Sequence, residues 1–144
     1  MVRLHNTVVV AATPAAVWEV LGDLAATTEW LPGTVAARMD DDVRTCTTAD
    51  GFEIRERISA YSDEQRTYRF EHLALPVPVR DSGGVFTLEQ AGDGTRVVLE
   101  TSFEPLDAAQ AEQVAQMMDG ALGQALESLK RRIEHGTRWD ATAR

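Results

Sequence analysis

The sequence predicts an α+β fold in which a curved antiparallel sheet of about seven strands wraps a long C-terminal helix. Three observations carry this. Residues 34–104 run in short segments where apolar and polar side chains alternate, the period of strands with one buried face. The connections between these segments are short and rich in Gly, Asp and Pro, which forces antiparallel neighbours. From residue 108 to about 135 the period changes to that of a helix with one apolar stripe.

The elements follow in order. Residues 2–12 contain the β-branched run Thr7-Val8-Val9-Val10 and read as a strand. Thr13-Pro14 starts a helix, threonine at the N-cap and proline at the first turn. That helix carries Val17, Trp18 and Leu21 on one side and ends at Gly22-Asp23, with Asp23 expected to cap a second short helix over 24–29. Trp30-Leu31-Pro32-Gly33 turns the chain. Strands are expected at 34–39, 43–48, 52–60, 66–73, 80–90 and 95–104, with an Asp-Gly turn at Asp50-Gly51. Alternation places Phe52, Ile54, Ile58 and Ala60 on one face, and likewise Tyr68 with Phe70 and His72, Phe86 with Leu88, and Val97 with Leu99, Thr101 and Phe103.

A sheet with one apolar face needs a cover. The final helix supplies it. Asp107 and Gln110 suggest a capping box, and Gly136 a stop. Ala111, Val114, Ala115, Met118, Ala121, Leu122, Ala125, Leu126, Leu129 and Ile133 fall within an arc of about 140°. At 1.5 Å per residue the helix is roughly 40 Å long, the span of a whole sheet. The chain reads as one domain over 1–136 with a polar tail at 137–144, onto which only Trp139 offers an apolar anchor.

Composition narrows the function classes. Hydrophobic residues make up 44% of the 144 residues, enough for a packed core. The net charge is −9, which repels nucleic acid and anionic lipid, so no nucleic-acid partner is expected. No run approaches the roughly 18 apolar residues of a membrane span, and the first residues lack the pattern of a signal peptide, so a cytoplasmic location is expected. Cys46 is the single cysteine, and the histidines His5, His72 and His135 are scattered, so neither a disulfide nor a structural metal site is expected. The chain has no Walker loop, dinucleotide fingerprint, G-x-S-x-G or H-E-x-x-H, no cofactor is implied, and no nucleophile–base pair is visible from spacing.

Several segments carry a family resemblance: Ala12-Thr13-Pro14-Ala15-Ala16-Val17-Trp18, Gly22-Asp23-Leu24, Trp30-Leu31-Pro32-Gly33, Val43-Arg44-Thr45, Asp50-Gly51-Phe52-Glu53-Ile54-Arg55-Glu56-Arg57, Arg66-Thr67-Tyr68-Arg69-Phe70, Leu75-Pro76-Val77 and Gly94-Thr95-Arg96-Val97. Together they resemble the helix-grip fold of the START/Bet v 1-like (SRPBCC) superfamily, and within it the bacterial polyketide cyclase/dehydrase and lipid-transport family. The resemblance covers nearly the whole chain. It implies a hydrophobic small molecule held between sheet and helix, and it names no ligand, because function lives in sites grafted on folds.

Four residues stand out as candidates for chemistry. Glu56 lies between Ile54 and Ile58 at the spacing of the apolar face, where a carboxylate is costly unless paired or protonated. It would orient a ligand or move a proton there, or pair with an arginine, or turn outward at a bulge. His72 is a general base near neutral pH or an exposed strand-end histidine. Tyr68 has its ring in the core and a hydroxyl that needs a partner. Arg80 shares the parity of Ser82, Gly84 and Phe86 and would bind an oxyanion at a pocket mouth, or stand in solvent. Ligand contacts would come from Trp30 at the lip, from Phe52, Ile54, Phe70, Phe86, Leu99 and Phe103 on the sheet, and from Val114, Met118 and Leu122 on the helix.

These residues support a binding module for a hydrophobic or aromatic, lipid- or polyketide-like molecule. They also fit a polyketide aromatase/cyclase or dehydratase that works by positioning and proton transfer through Glu56, His72, Tyr68 or Arg80. An interaction protein without a small ligand, such as a homodimer, is the third reading.

Overall fold

The computed structural model describes residues 1–139. Its elements are β1 (Val2–Val10), α1 (Pro14–Leu21), a 3-10 turn (Leu24–Glu29), β2 (Thr34–Asp40), β3 (Val43–Thr48), β4 (Glu53–Ser62), β5 (Thr67–Ala74), β6 (Val79–Ala91), β7 (Gly94–Pro105), a second 3-10 turn (Ala108–Gln110) and α2 (Ala111–His135). The seven strands form one sheet in the order β1-β7-β6-β5-β4-β3-β2, with every neighbouring pair antiparallel. This is the helix-grip α+β architecture expected from the sequence.

Local chemistry sets the element ends. Thr13 caps α1 by accepting from the Ala16 amide at 3.2 Å, and Pro14 occupies the first turn. Gly22 closes α1 in an ordinary right-handed conformation, so it is not glycine for its backbone angles. It is glycine for space: a Cβ there would sit 2.6 Å from the Trp18 ring. Asp23 makes no capping bond with its side chain, contrary to expectation. Asp107 accepts from the Ala109 amide and so caps the 3-10 turn that leads into α2, while Gln110 makes no side-chain cap. Gly136 ends α2 in the left-handed conformation, its N–H bonded to the Arg132 carbonyl.

The core lies between the inner face of the sheet and the two helices. Val17, Trp18 and Leu21 of α1 meet Trp30, Tyr68, Phe70, Phe86, Val97 and Leu99, and Ala125, Leu126 and Leu129 of α2 complete the cluster. A second cluster joins Phe103 to Val114 and Met118, with Leu75, Val77 and Val79 packed against it. The helix stripe is as expected except at two positions. Ala121 is exposed, and Ser128 is buried with its neighbours Ala125, Leu126 and Leu129 where the buried arc of α2 widens.

Two of the sheet's four register shifts break the alternation that the sequence suggested. In β4 the register with β5 shifts between Ile58 and Ala60, so Ala60 is exposed and Tyr61 lies opposite Tyr68. In β6 the register with β7 shifts between Arg80 and Gly83, and Asp81 has φ 51°. β1 is one edge of the sheet, and α2 closes it. Lys130 Nζ donates to the Val9 carbonyl at 2.6 Å, the Ala11 amide donates to Glu134 at 2.7 Å, and Asn6 donates to Asp119 at 3.0 Å. Covering an edge in this way removes a template for unwanted strand pairing.

The tail does not simply leave the domain. The Trp139 amide donates to the Glu29 carbonyl at 2.8 Å, and Arg132 grips the Glu29 carboxylate through Nε and Nη2. The rest of the expected tail, 140–144, lies outside the described residues.

Candidate functional site

Four polar groups of the inner face fall in one row. Register pairs Arg44 on β3 with Glu56 on β4, and Glu56 with His72 on β5. Residues directly opposite on an antiparallel ladder project to the same face, so three chemically different side chains are delivered side by side. Arg44 Nε donates to Glu56 Oε1 at 2.9 Å. Glu56 Oε2 lies 3.3 Å from His72 Nε2, and His72 Nδ1 lies 2.8 Å from Ser82 Oγ on β6. At the other end Arg44 Nη1 donates to Thr27 Oγ1 at 3.1 Å and reaches the Tyr68 hydroxyl at 3.5 Å. The Arg44 guanidinium also stands 5.4 Å from the centre of the Tyr68 ring.

This row is buried. Arg44 is 4% exposed, Glu56 7% and Ser82 8%, and Tyr68 is fully enclosed. Burial alone would push the Glu56 carboxyl up, but Arg44 and then His72 outweigh it and hold the carboxyl below its ordinary value. Burial works against the Arg44 charge too, yet Tyr68 and Glu56 keep it firmly protonated. Burial raises the Tyr68 hydroxyl, with Arg44 opposing, so it stays neutral while accepting from Arg44. The outcome is a buried ion pair beside the apolar core, in contact with a histidine and a phenol. Such a set can bind an oxygen-bearing group and can hold or pass a proton.

The structure brings Glu56, His72 and Tyr68 together and sets Arg80 apart. Arg80 is exposed, because the bulge between it and Gly83 breaks the parity that placed it inside. Phe52 precedes β4 and is 37% exposed, since the turn after Asp50 is still reversing the chain there. Ile54 is half-buried. Trp30 is buried, edge-on to Phe86 with ring centres 6.4 Å apart, and its indole N–H has no partner among the described residues. Phe70, Phe86 and Leu99 line the same cluster, with Leu122 packed against it, while Phe103, Val114 and Met118 form the second cluster.

Sequence reasoning did not single out Arg44, Thr27 or the role of Ser82. A signal for Arg44 was present. The turn at Asp50-Gly51 fixes the register of β3 with β4, and that register sets Arg44 opposite Glu56. The strand itself, Val43-Arg44-Thr45-Cys46-Thr47-Thr48, has too little apolar alternation to show which face is inner. Ser82 does lie on the inner face at the parity of Gly84 and Phe86, but nothing in its own strand shows that it meets His72 on β5.

Residues 1–134 match the family described as polyketide cyclase/dehydrase and lipid transport. The chain belongs to this family. Solved structures agree on the fold. The protein XoxI from Bacillus cereus aligns with a TM-score of 0.85 at 20% identity, over 92% of this chain and 96% of that one. The di-domain ARO/CYC BexL from the BE-7585A biosynthetic pathway aligns with a TM-score of 0.82 at 16% identity, over 93% of this chain and 47% of the two-domain chain. Norcoclaurine synthase from Thalictrum, solved with a transition-state analogue, aligns with a TM-score of 0.72 at 17% identity, over 94% and 96%. No curated protein matches the sequence. Among the described residues of this polyketide cyclase/dehydrase and lipid-transport family member, no helix is long and apolar enough to cross a membrane.

Proposed function

We propose that the protein takes a hydrophobic or aromatic small molecule, lipid- or polyketide-like, between its sheet and α2, with an oxygen-bearing end of that molecule turned to Arg44, Glu56 and His72. One observation carries this reading. The inner face is lined by Trp30, Phe70, Phe86 and Leu99, and it holds a single continuous polar row that crosses four strands. A few placed polar groups in an apolar lining are what orient a small ligand. The Trp30 N–H, without a partner among the described residues, adds one more donor. The family description supports the ligand class. Native mass spectrometry and fluorescence titration with fatty acids and aromatic polyketide mimics test it. Saturable one-to-one binding that weakens in Arg44→Lys is the expected result, and absence of binding across the panel would remove the reading.

Contact between Glu56 and His72 favours a second reading, a cyclase or dehydratase. A carboxylate held ionised beside an imidazole is a general-base pair, and Arg44 beside it suits a developing enolate. Turnover of a poly-β-ketone mimic that falls in His72→Gln while binding persists would establish it.

A further inference from the structure

The same row contains an arrangement that no sequence motif announced. Ser82 Oγ, the His72 ring and the Glu56 carboxylate stand in line, at 2.8 Å from oxygen to Nδ1 and 3.3 Å from Nε2 to Oε2. Their protonation pattern follows from the neighbours. Arg44 Nε donates to Glu56 at 2.9 Å and keeps it an acceptor. An ionised Glu56 accepts from the imidazole at Nε2, and in the neutral ring this leaves Nδ1 bare. A bare Nδ1 can only accept from Ser82, so the hydroxyl hydrogen points at a base. This is the order nucleophile, base, orienting carboxylate that activates a serine.

The backbone around Ser82 is equally particular. Ser82 has no register partner on either side: the β5–β6 ladder ends at Glu71 and Gly83, and the β6–β7 register jumps from Arg80 to Gly83. Asp81, just before it, is a non-glycine residue in the left-handed region. Strain of this kind collects at functional sites. Gly83 and Gly84 follow, and a Cβ at Gly83 would lie 2.5 Å from the Phe70 carbonyl. Opposite Gly84 stands Thr101, 7% exposed, whose hydroxyl has no partner among the described residues.

We propose that Ser82 is the nucleophile of an acyl-transfer centre that cleaves esters of apolar carboxylic acids. The apolar substrate class rests on the ligand reading above. Ser82 Oγ bonds to the ester carbonyl carbon while His72 Nδ1 takes the hydroxyl proton. The Thr101 hydroxyl is the donor for the oxyanion that forms. The bond to the alcohol oxygen then breaks, and Nδ1 returns the proton to that oxygen, leaving an acyl-serine. Water, deprotonated by the same nitrogen, attacks the acyl carbon, releases the carboxylic acid and restores Ser82. Nothing is oxidised or reduced. Glu56 holds the ring in place, and Arg44 acts through Glu56 as a positioning residue.

The test is covalent labelling of the full chain with an alkyl fluorophosphonate, located by peptide mass mapping, beside hydrolysis of p-nitrophenyl octanoate. The expected result is one adduct on Ser82, no adduct in Ser82→Ala, and labelling about 100-fold slower in His72→Gln, with ester turnover falling in step. Ser82→Cys keeps a polar group of similar size, and its thiol should react with iodoacetamide at a rate that depends on His72. Absence of an adduct on folded wild-type protein overturns the proposal, as does equal labelling of His72→Gln or undiminished turnover by Ser82→Ala. A fluorescent fatty-acid analogue separates the two readings. Binding of the analogue without labelling overturns the acyl-transfer centre alone, whereas labelling at Ser82 without such binding supports the centre and overturns the ligand reading.

Discussion

Arg44 and Glu56 face each other directly across β3 and β4, joined at 2.9 Å with both side chains almost completely withdrawn from solvent. Removing one partner strands the other charge. Arg44→Ala should therefore destabilise the fold by about 3–5 kcal/mol in urea unfolding, and Arg44→Met with Glu56→Leu should recover much of the loss, since a well-packed apolar pair avoids the desolvation cost. A double variant no more stable than Arg44→Ala would show that the row contributes through contacts other than the pair.

Acid should act through the same carboxylate. Glu56 is held below its ordinary value in the folded state, so the unfolded chain takes up this proton first. The stability it contributes is complete above the unfolded value, about 4.5, and disappears as pH falls through the lower folded value. Unfolding free energy measured from pH 7 to pH 3 should fall less steeply below pH 4.5 in Glu56→Gln than in the wild type.

Two glycines should respond to alanine with opposite sign. A Cβ at Gly84 would lie 2.8 Å from both Phe70 Cζ and Thr101 Cγ2 and 2.9 Å from the Glu100 carbonyl, so Gly84→Ala should cost about 1–3 kcal/mol. Gly120 is exposed within α2 and a Cβ there meets nothing within 4 Å, so Gly120→Ala should stabilise by about 0.5–1 kcal/mol. Thermal midpoints of the two variants would move apart.

Cys46 is a reporter of unfolding rather than of chemistry. It is 1% exposed, and burial pushes its thiol up to about 11 despite Arg44. At pH 8 it should react with a disulfide reagent only as fast as the domain opens. Rapid modification of the native protein would mean that β3 frays on its own.

The fold was legible because its signals are redundant. Each strand repeats the same face pattern, and α2 carries its stripe over seven turns, so errors at Asp23, Ala60 or Ala121 do not change the architecture. The site was legible only in part. Glu56, His72 and Tyr68 declared themselves as polar groups at apolar parity. Arg44 was hidden in a strand of threonines, Arg80 sat where a bulge reassigns faces without any mark in composition, and Ser82 kept its inner parity but gave no sign of its contact with His72. Single-strand periodicity cannot report a contact that depends on register between strands.

The pairing of β1 with β7 sets a timetable for synthesis. Val10 lies opposite Thr95 and Val2 opposite Phe103, so β1 leaves the ribosome long before the neighbour it pairs with. At about 5–20 residues per second the wait is roughly 4–20 s. During that time Thr7-Val8-Val9-Val10 travels as an unpaired, β-prone segment, and Lys130 and Glu134, which later close its free edge, have not yet been made. The nascent chain is thus exposed along β1 to chaperones and to other nascent chains, and the period of risk ends only when α2 arrives.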